Sequence, residues 1–533
     1  MSTPSSQLSP GVSTELPGTG RHPAPLALLF LVFLALGLAL SFRSLGYDWF
    51  YDDLHLVRVY SPAELASVWT DSWDVDHTET PGFRPLTTAF NDVRARLFGE
   101  SVVAHRLFLI ALYSLCLTLF ARVLLTVGVP YWTALAAGVL TIAATNSAYH
   151  FVWISDGVHI TQGVTFALSA IALLSFTRRP TGRGYPLLLS LAFASICLLI
   201  REDSLVVFPI LWLLAAVYWL SPAGRSTHLP ERVKWLIVYG LGLAAIALLF
   251  WAWRSTLPLP PTNLPSLKQI PLEVASLFVR TVRLGGNSDR TLFYALFVAA
   301  TILTACFPLV YLASKARSLK KDCLLHGHCS SGGSLASPCR PLADAAKLWM
   351  RSLALLGCMV VSSLPGVIVV RDNVTFFGTY FYAVYLGLVA ATYLSALGNR
   401  RAYIPSCIGL IALFSGVVAI SARNSMLLQE SMHPYSIQSI YHNSKYLYGY
   451  GHHIADTVPT ARREAQRIRL ASLGFNASTP REVTVARIYC DALSAGAYHP
   501  TSDSTPFVPV MPFLGDLGLE PPPVCPSAEP IRR

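Results

Sequence analysis

Apolar residues fill this chain in long unbroken runs rather than in stripes or alternation. Residues 123–155 and 204–224 contain no Asp, Glu, Lys or Arg. A helix needs roughly 20 apolar residues to cross about 30 Å of hydrocarbon. On that measure the pattern predicts eleven helices, near 26–42, 104–127, 131–149, 157–177, 185–200, 204–221, 235–253, 291–314, 352–370, 376–397 and 403–421. Residues 1–25 are rich in Ser, Thr, Pro and Gly and predict a disordered tail. The first run ends in Ala39-Leu40-Ser41, a faint match to a signal-cleavage site. It is longer than a usual signal core and leads straight into a charged loop, so it reads as a retained helix.

Two polar segments interrupt the pattern: a first loop, 43–103, and a tail, 422–533. Loop charges set the orientation, because Lys and Arg favour the inner side. With the amino terminus inside, every inner loop is basic: Arg178, Arg179 and Arg183; Arg225, Arg232 and Lys234; Lys315, Arg317, Lys320 and Lys321; Arg400 and Arg401. The first loop and the tail then lie outside. In the tail, 460–470 is Arg-rich and predicts a helix, while 483–490 has strand-like alternation. The expected fold is an all-α polytopic membrane protein of about eleven transmembrane helices over 26–421, with a small α/β extracytoplasmic C-terminal region over 422–533. Its expected place is a bacterial inner membrane with the site facing outward, or the endoplasmic reticulum of a eukaryote.

Composition sharpens this picture. Of 533 residues, 13% are charged, against about a quarter in soluble domains. The net charge of +11 is largely topological signal and favours anionic headgroups. No nucleic-acid-binding motif is present, so no nucleic-acid partner is expected. Cys490 and Cys525 stand on the outer side, where a disulfide is feasible. The inner-loop set Cys323, His326, His328, Cys329 and Cys339 matches no standard zinc spacing, and metal dependence stays open. Asn373 and Asn476 head formal glycosylation sequons.

Candidate chemistry gathers at the outer ends of the helices. The first loop supplies Asp48, Asp52, Asp53 and Arg84, with His105 at its close. Other links supply Trp153, Asp156 and His159; Arg201, Glu202 and Asp203; and Arg371, Tyr380 and Tyr382. Carboxylates at a bilayer edge are costly unless they serve a purpose. Such a set suits transfer of a sugar from a lipid phosphate to a hydroxyl. Arg grips phosphate oxygens bidentately, a carboxylate takes the hydroxyl proton, and aromatic rings stack on sugars. No Walker A or dinucleotide fingerprint is present. Each candidate also has a plainer reading: Asp52 and Asp53 as a helix cap, Arg84 as an ordering ion pair, His105 as an interfacial packing residue, 201–203 as a hairpin cap, and Tyr382 as part of an aromatic belt.

Tyr51-Asp52-Asp53, then Phe83-Arg84-Pro85-Leu86, then Ala104-His105-Arg106 resembles the opening of the GT-C membrane glycosyltransferases. The likeness is nearest to the protein O-mannosyltransferase branch and its TPR-bearing relatives. Arg201-Glu202-Asp203 and the stretch from Arg371 to Tyr382 resemble later segments of that family. The resemblance implies a polyprenyl- or dolichyl-phosphate sugar donor in the membrane lipid, a hydroxyl acceptor, and a catalytic carboxylate at Asp53 or Asp52, with Asp53 favoured. It implies substrate contacts from Arg84, His105, Arg201, Glu202, Asp203, Arg371 and Tyr382, with Arg371 the best candidate for the donor phosphate. Phe108 and Leu112 depart from the family's Asn and second His, and the tail shows no TPR period. The alternatives are a multi-pass transporter or lipid flippase, and a non-catalytic protein of the same fold.

Overall fold

The computed structural model describes residues 24–77, 82–127, 129–144, 147–178, 184–220, 229–258, 400–433, 443, 447 and 457–472. The expected helices at 291–314, 352–370 and 376–397, the strand at 483–490, Cys323 to Cys339, Arg371 and Tyr382 lie outside the described residues. Within them the chain is helical throughout. The elements are α1 (Ala24–Ser41), α2 (Asp53–Leu56), α3 (Pro62–Ser67), α4 (Pro85–Phe98), α5 (Val102–Thr126), α6 (Tyr131–Ala143), α7 (Ser147–Val152), α8 (Gly157–Arg178), α9 (Tyr185–Ile200), a 3-10 turn (Glu202–Val206), α10 (Val207–Leu220), α11 (Leu229–Ser255), α12 (Arg400–Ser431) and α13 (Thr460–Ser472). Four contain stretches long and apolar enough to cross a membrane: Val102–Thr126, Gly157–Phe176, Val233–Ser255 and Cys407–Met426.

Local chemistry accounts for the helix ends in the first loop. Ser61 and Glu64 form a reciprocal capping box around Pro62, starting α3. Pro85 at the first turn starts α4, where its missing N–H costs nothing. Gly99, with φ of 53°, ends α4 in a left-handed conformation that a side chain would resist. Ser101 then accepts the Ala104 N–H and starts α5.

Two expected spans are revised. The run 131–149 is not one helix: the backbone leaves the helical region at Ala144, with ψ of 147°. Ser147 Oγ donates to the Thr141 carbonyl at 2.6 Å and meets Tyr113 Oη at 2.9 Å. The Thr141 carbonyl also accepts the Ala144 N–H at 3.2 Å, so backbone and hydroxyl together hold the helix end at the break. The run 204–221 begins earlier, as the 3-10 turn from Glu202, after an extended Arg201 at φ −152° and ψ 130°.

Helices α5 and α8 form the centre. Helix α8 packs on α9 and α5, and α1 packs on α5 and α6. Helix α11 turns Ile237, Leu241, Leu248 and Leu249 outward, a surface suited to lipid rather than water. Helix α12 rests on α1, where Ser44 Oγ donates to Gln429 Oε1 at 2.7 Å.

The first loop is fastened by three buried arginines, each spent largely on backbone carbonyls. Arg106 on α5 donates to the carbonyls of Leu45, Asp48 and Val152 at 3.2, 2.9 and 3.2 Å, and also to that of Tyr47. Arg94 on α4 donates to the Ile154 carbonyl at 2.7 Å and to Asn91 Oδ1 at 2.5 Å. Arg462 on α13 donates to the carbonyls of Asp53, Leu54 and Val57 at 2.8, 3.0 and 3.0 Å. It also pairs with Glu100 at 2.8 Å and lies 3.5 Å over the Trp49 ring. Helix α13 thus clasps the loop from the far end of the sequence.

Candidate active site

Asp52 and Asp53 follow Tyr51, whose φ of 56° is unusual for a non-glycine residue and turns the chain sharply. Asp52 stands at the N-cap position of α2, yet its side chain makes no capping bond. The capping reading therefore fails. Asp52 instead reaches the link between α7 and α8, where Oδ1 accepts from Trp153 Nε1 at 2.5 Å and Ser155 Oγ at 2.6 Å. Asp53 reaches the same link by a different route. Its two oxygens accept the backbone N–H groups of Ser155 at 2.6 Å and Ile154 at 3.0 Å.

The pair therefore divides its work. Asp53 is 0% exposed, and both its oxygens are committed to backbone; Asp52 is 5% exposed. Burial pushes the Asp53 carboxyl up to about 6, against the pull of the Ser155 and Ile154 N–H groups and the charges of Arg106 and Arg94. Burial likewise pushes Arg94 down to about 10, with Asp53 opposing it. Both carboxylates thus bond the 153–155 link, Asp53 through backbone N–H groups and Asp52 through side chains.

Beyond Ser155 the polar chain continues. Asp156 lies between two imidazoles, with Oδ2 2.7 Å from His150 Nδ1 and Oδ1 2.6 Å from His159 Nδ1. All three side chains are buried. Burial works to raise the Asp156 carboxyl, but His159 and His150 outweigh it and hold the group well below the usual carboxylate range. One turn along α8, Gln162 Nε2 donates to Asp203 Oδ1 at 3.1 Å and Ser204 Oγ at 2.7 Å. Arg201 grips Asp203 through Nε at 3.2 and 3.1 Å and Nη2 at 3.0 Å. Burial opposes the Asp203 charge, while Arg201, then His159 and Arg84, outweigh it and lower that carboxyl.

Glu202 joins two further guanidinium groups, with Arg254 Nε at 2.9 Å and Arg84 Nη2 at 3.7 Å. The chain passes this pair closely at Gly82, where a Cβ would stand 2.9 Å from Glu202 Oε1 and oblige that side chain to shift. Thr87 Oγ1 donates to the Ile200 carbonyl at 2.6 Å, fixing α4 against the end of α9. Among the described residues, Arg84, Arg201 and Arg254 thus meet Glu202 and Asp203 in one mixed charge cluster.

The structure therefore brings together Asp52, Asp53, Arg84, Arg201, Glu202 and Asp203. His105 is buried, with Nε2 3.1 Å from the Gly99 carbonyl, and packs edge-on against Trp49 and Phe98. Trp153 was among the sequence candidates, whereas Arg254 and Ser155 were missed. Arg254 reads in sequence as the end of a span, and Ser155 acts through a partner that spacing does not reveal. Among the described residues, His55, Asp74 and Asp76 place their ligand atoms within 4.8 Å of one another, a spacing compatible with a metal ion. The Arg58 guanidinium stands 3.2 Å from Asp76 in that group.

No protein-family model matches the chain, and no curated protein matches it. Among solved structures, the chain is similar to the oligosaccharyltransferase of Archaeoglobus fulgidus, crystallised with a tethered acceptor peptide containing an NVT sequon. The TM-score is 0.40 and the identity 12%, over 76% of this chain and 55% of that one. The chain thus spans about half the length of that structure, and the likeness is too distant to bear on function.

Proposed function

We propose that the chain is an integral membrane glycosyltransferase that moves a sugar from a polyprenyl-phosphate donor to a hydroxyl of a protein, glycan or lipid on the extracytoplasmic face. The observation that carries this reading is a set of buried polar clusters on links between apolar helices. Asp52 and Asp53 bond the 153–155 link, Asp156 lies between His150 and His159, and Arg201, Asp203, Glu202, Arg84 and Arg254 meet at the next link.

In this reading Asp52 takes the acceptor proton as the acceptor oxygen attacks the anomeric carbon. The carbon–oxygen bond to phosphate breaks on the opposite face, the lipid phosphate leaves with the electron pair, and the sugar inverts. Arg84, Arg201 and Arg254 face the phosphate charge, with Arg371 assigned to the same task and Tyr382 to the sugar. Asp53 holds the 153–155 turn on which Asp52 depends. No metal is assigned a step.

The test is to incubate the purified full chain with labelled polyprenyl-phosphate mannose, glucose and galactose and follow release of polyprenyl phosphate. Loss of a general base costs about 10²–10⁴-fold. Asp52→Asn is expected to lower turnover by at least about 100-fold with little change in melting temperature. Because Asp52 and Asp53 both contact protein groups, a non-catalytic member of the fold is the second reading. Donor binding without turnover would favour it, and neither binding nor turnover of any donor would refute both.

A further inference from the structure

His159 carries a feature that packing does not explain. The ionised Asp156 carboxylate can only accept, so the Nδ1 atoms of His150 and His159 that face it both carry hydrogen. With its hydrogen on Nδ1, neutral His159 presents a bare lone pair at Nε2. That atom is buried and has no hydrogen-bond partner among the described residues, in a side chain only 4% exposed. Leaving a buried acceptor bare is costly, and a fold that retains one invites a search for its missing donor.

The surroundings narrow the ligand. His159 contributes to the field at Asp203, which Gln162 and Arg201 also hold. A phosphate oxygen is itself an acceptor and cannot satisfy a lone pair. A hydroxyl can, and its own oxygen can then accept from an amide or guanidinium N–H. We propose that His159 Nε2 accepts a hydrogen bond from a hydroxyl of the transferred sugar, with Asp156 and His150 fixing the ring's tautomer and orientation. This rests on the proposed function and adds a specificity residue to it.

Two substitutions separate the roles of the two ring nitrogens. H159N keeps an N–H near the Nδ1 position for Asp156 and deletes the acceptor at Nε2. H159Q reaches the Nε2 position instead. The assay uses whichever labelled polyprenyl-phosphate hexose the wild type turns over, together with its singly deoxygenated analogues. A site built to bond a substrate hydroxyl strongly rejects the analogue lacking it. The wild type is expected to reject one deoxy analogue by about 100-fold or more. H159N is expected to treat that analogue and the parent within about fivefold, with the other positions still discriminated, while H159Q retains selectivity. The inference is overturned if H159N discriminates every analogue as the wild type does, or if H159Q loses selectivity while H159N keeps it. Should H159N fail to fold, H159Q decides: retained selectivity supports the inference and lost selectivity overturns it. If the wild type turns over no donor, the proposed function itself fails and takes this inference with it, a result distinct from those above.

Discussion

Replacing Asp53 with asparagine separates bracing from catalysis, because the structure predicts how its effect changes with pH. Asn keeps one acceptor for the Ile154 or Ser155 N–H but turns an amide toward the other, at a cost of about 1–3 kcal/mol. The wild-type carboxylate carries its own penalty. Its folded value of about 6 lies above the ordinary 3.8, a difference equivalent to about 3 kcal/mol. The folded protein holds this proton more tightly than the unfolded chain does. The resulting stabilisation is therefore complete below about pH 4 and is lost as pH rises through about 6. Between pH 5 and pH 7 the wild type loses about 1 kcal/mol from this group, whereas Asp53→Asn, which does not titrate, loses none of it. The variant's deficit should accordingly be larger at pH 5 than at pH 7, by roughly 2 °C in melting temperature. Tryptophan fluorescence on heating in detergent at the two pH values measures it. An equal deficit at both, or a larger one at pH 7, would refute the bracing role. The variant should also retain more than about a tenth of wild-type transfer, since a general base would lose far more.

Arg462→Met removes the donors to three carbonyls and the partner of Glu100. It should destabilise by about 1–3 kcal/mol or more in denaturant unfolding, the cost of leaving buried acceptors unmet; a loss below about 1 kcal/mol would contradict the clasp. Arg254→Gln leaves Glu202 facing Arg84 at 3.7 Å. It should raise the donor KM about tenfold with kcat within about threefold, the signature of binding lost equally in ground and transition states. An unchanged KM would remove Arg254 from the phosphate site.

Hydropathy alone fixed some elements closely. The run 185–200 matches α9 because nothing inside it is polar enough to interrupt it and Arg201 ends it. Hydropathy could not show the break at Ala144, because the Thr, Asn and Ser nearby are uncharged and the Ser147 hydroxyl beside it bonds a backbone carbonyl. Asp52 and Asp53 stood out as carboxylates beside a membrane, but their partners are an indole, a hydroxyl and two backbone N–H groups about a hundred residues away. A peptide N–H has no signature in a sequence. The setting of His105 was hidden for a related reason: its partner is the Gly99 carbonyl, and its position between two aromatic rings is decided by tertiary packing. Asp156 and His159 looked like minor candidates because the third member, His150, sits in α7 and faces them only after the fold is made.

The Arg462 clasp joins residues separated by as many as 409 positions. During synthesis at about 5–20 residues per second, the carbonyls of 53, 54 and 57 therefore wait roughly 20–80 seconds for their donor to emerge. Until then the opening loop has no means of reaching its final shape. Its maturation waits on the arrival of α13, and a ribosome product cut short before Arg462 would leave that loop without one of its three fastenings.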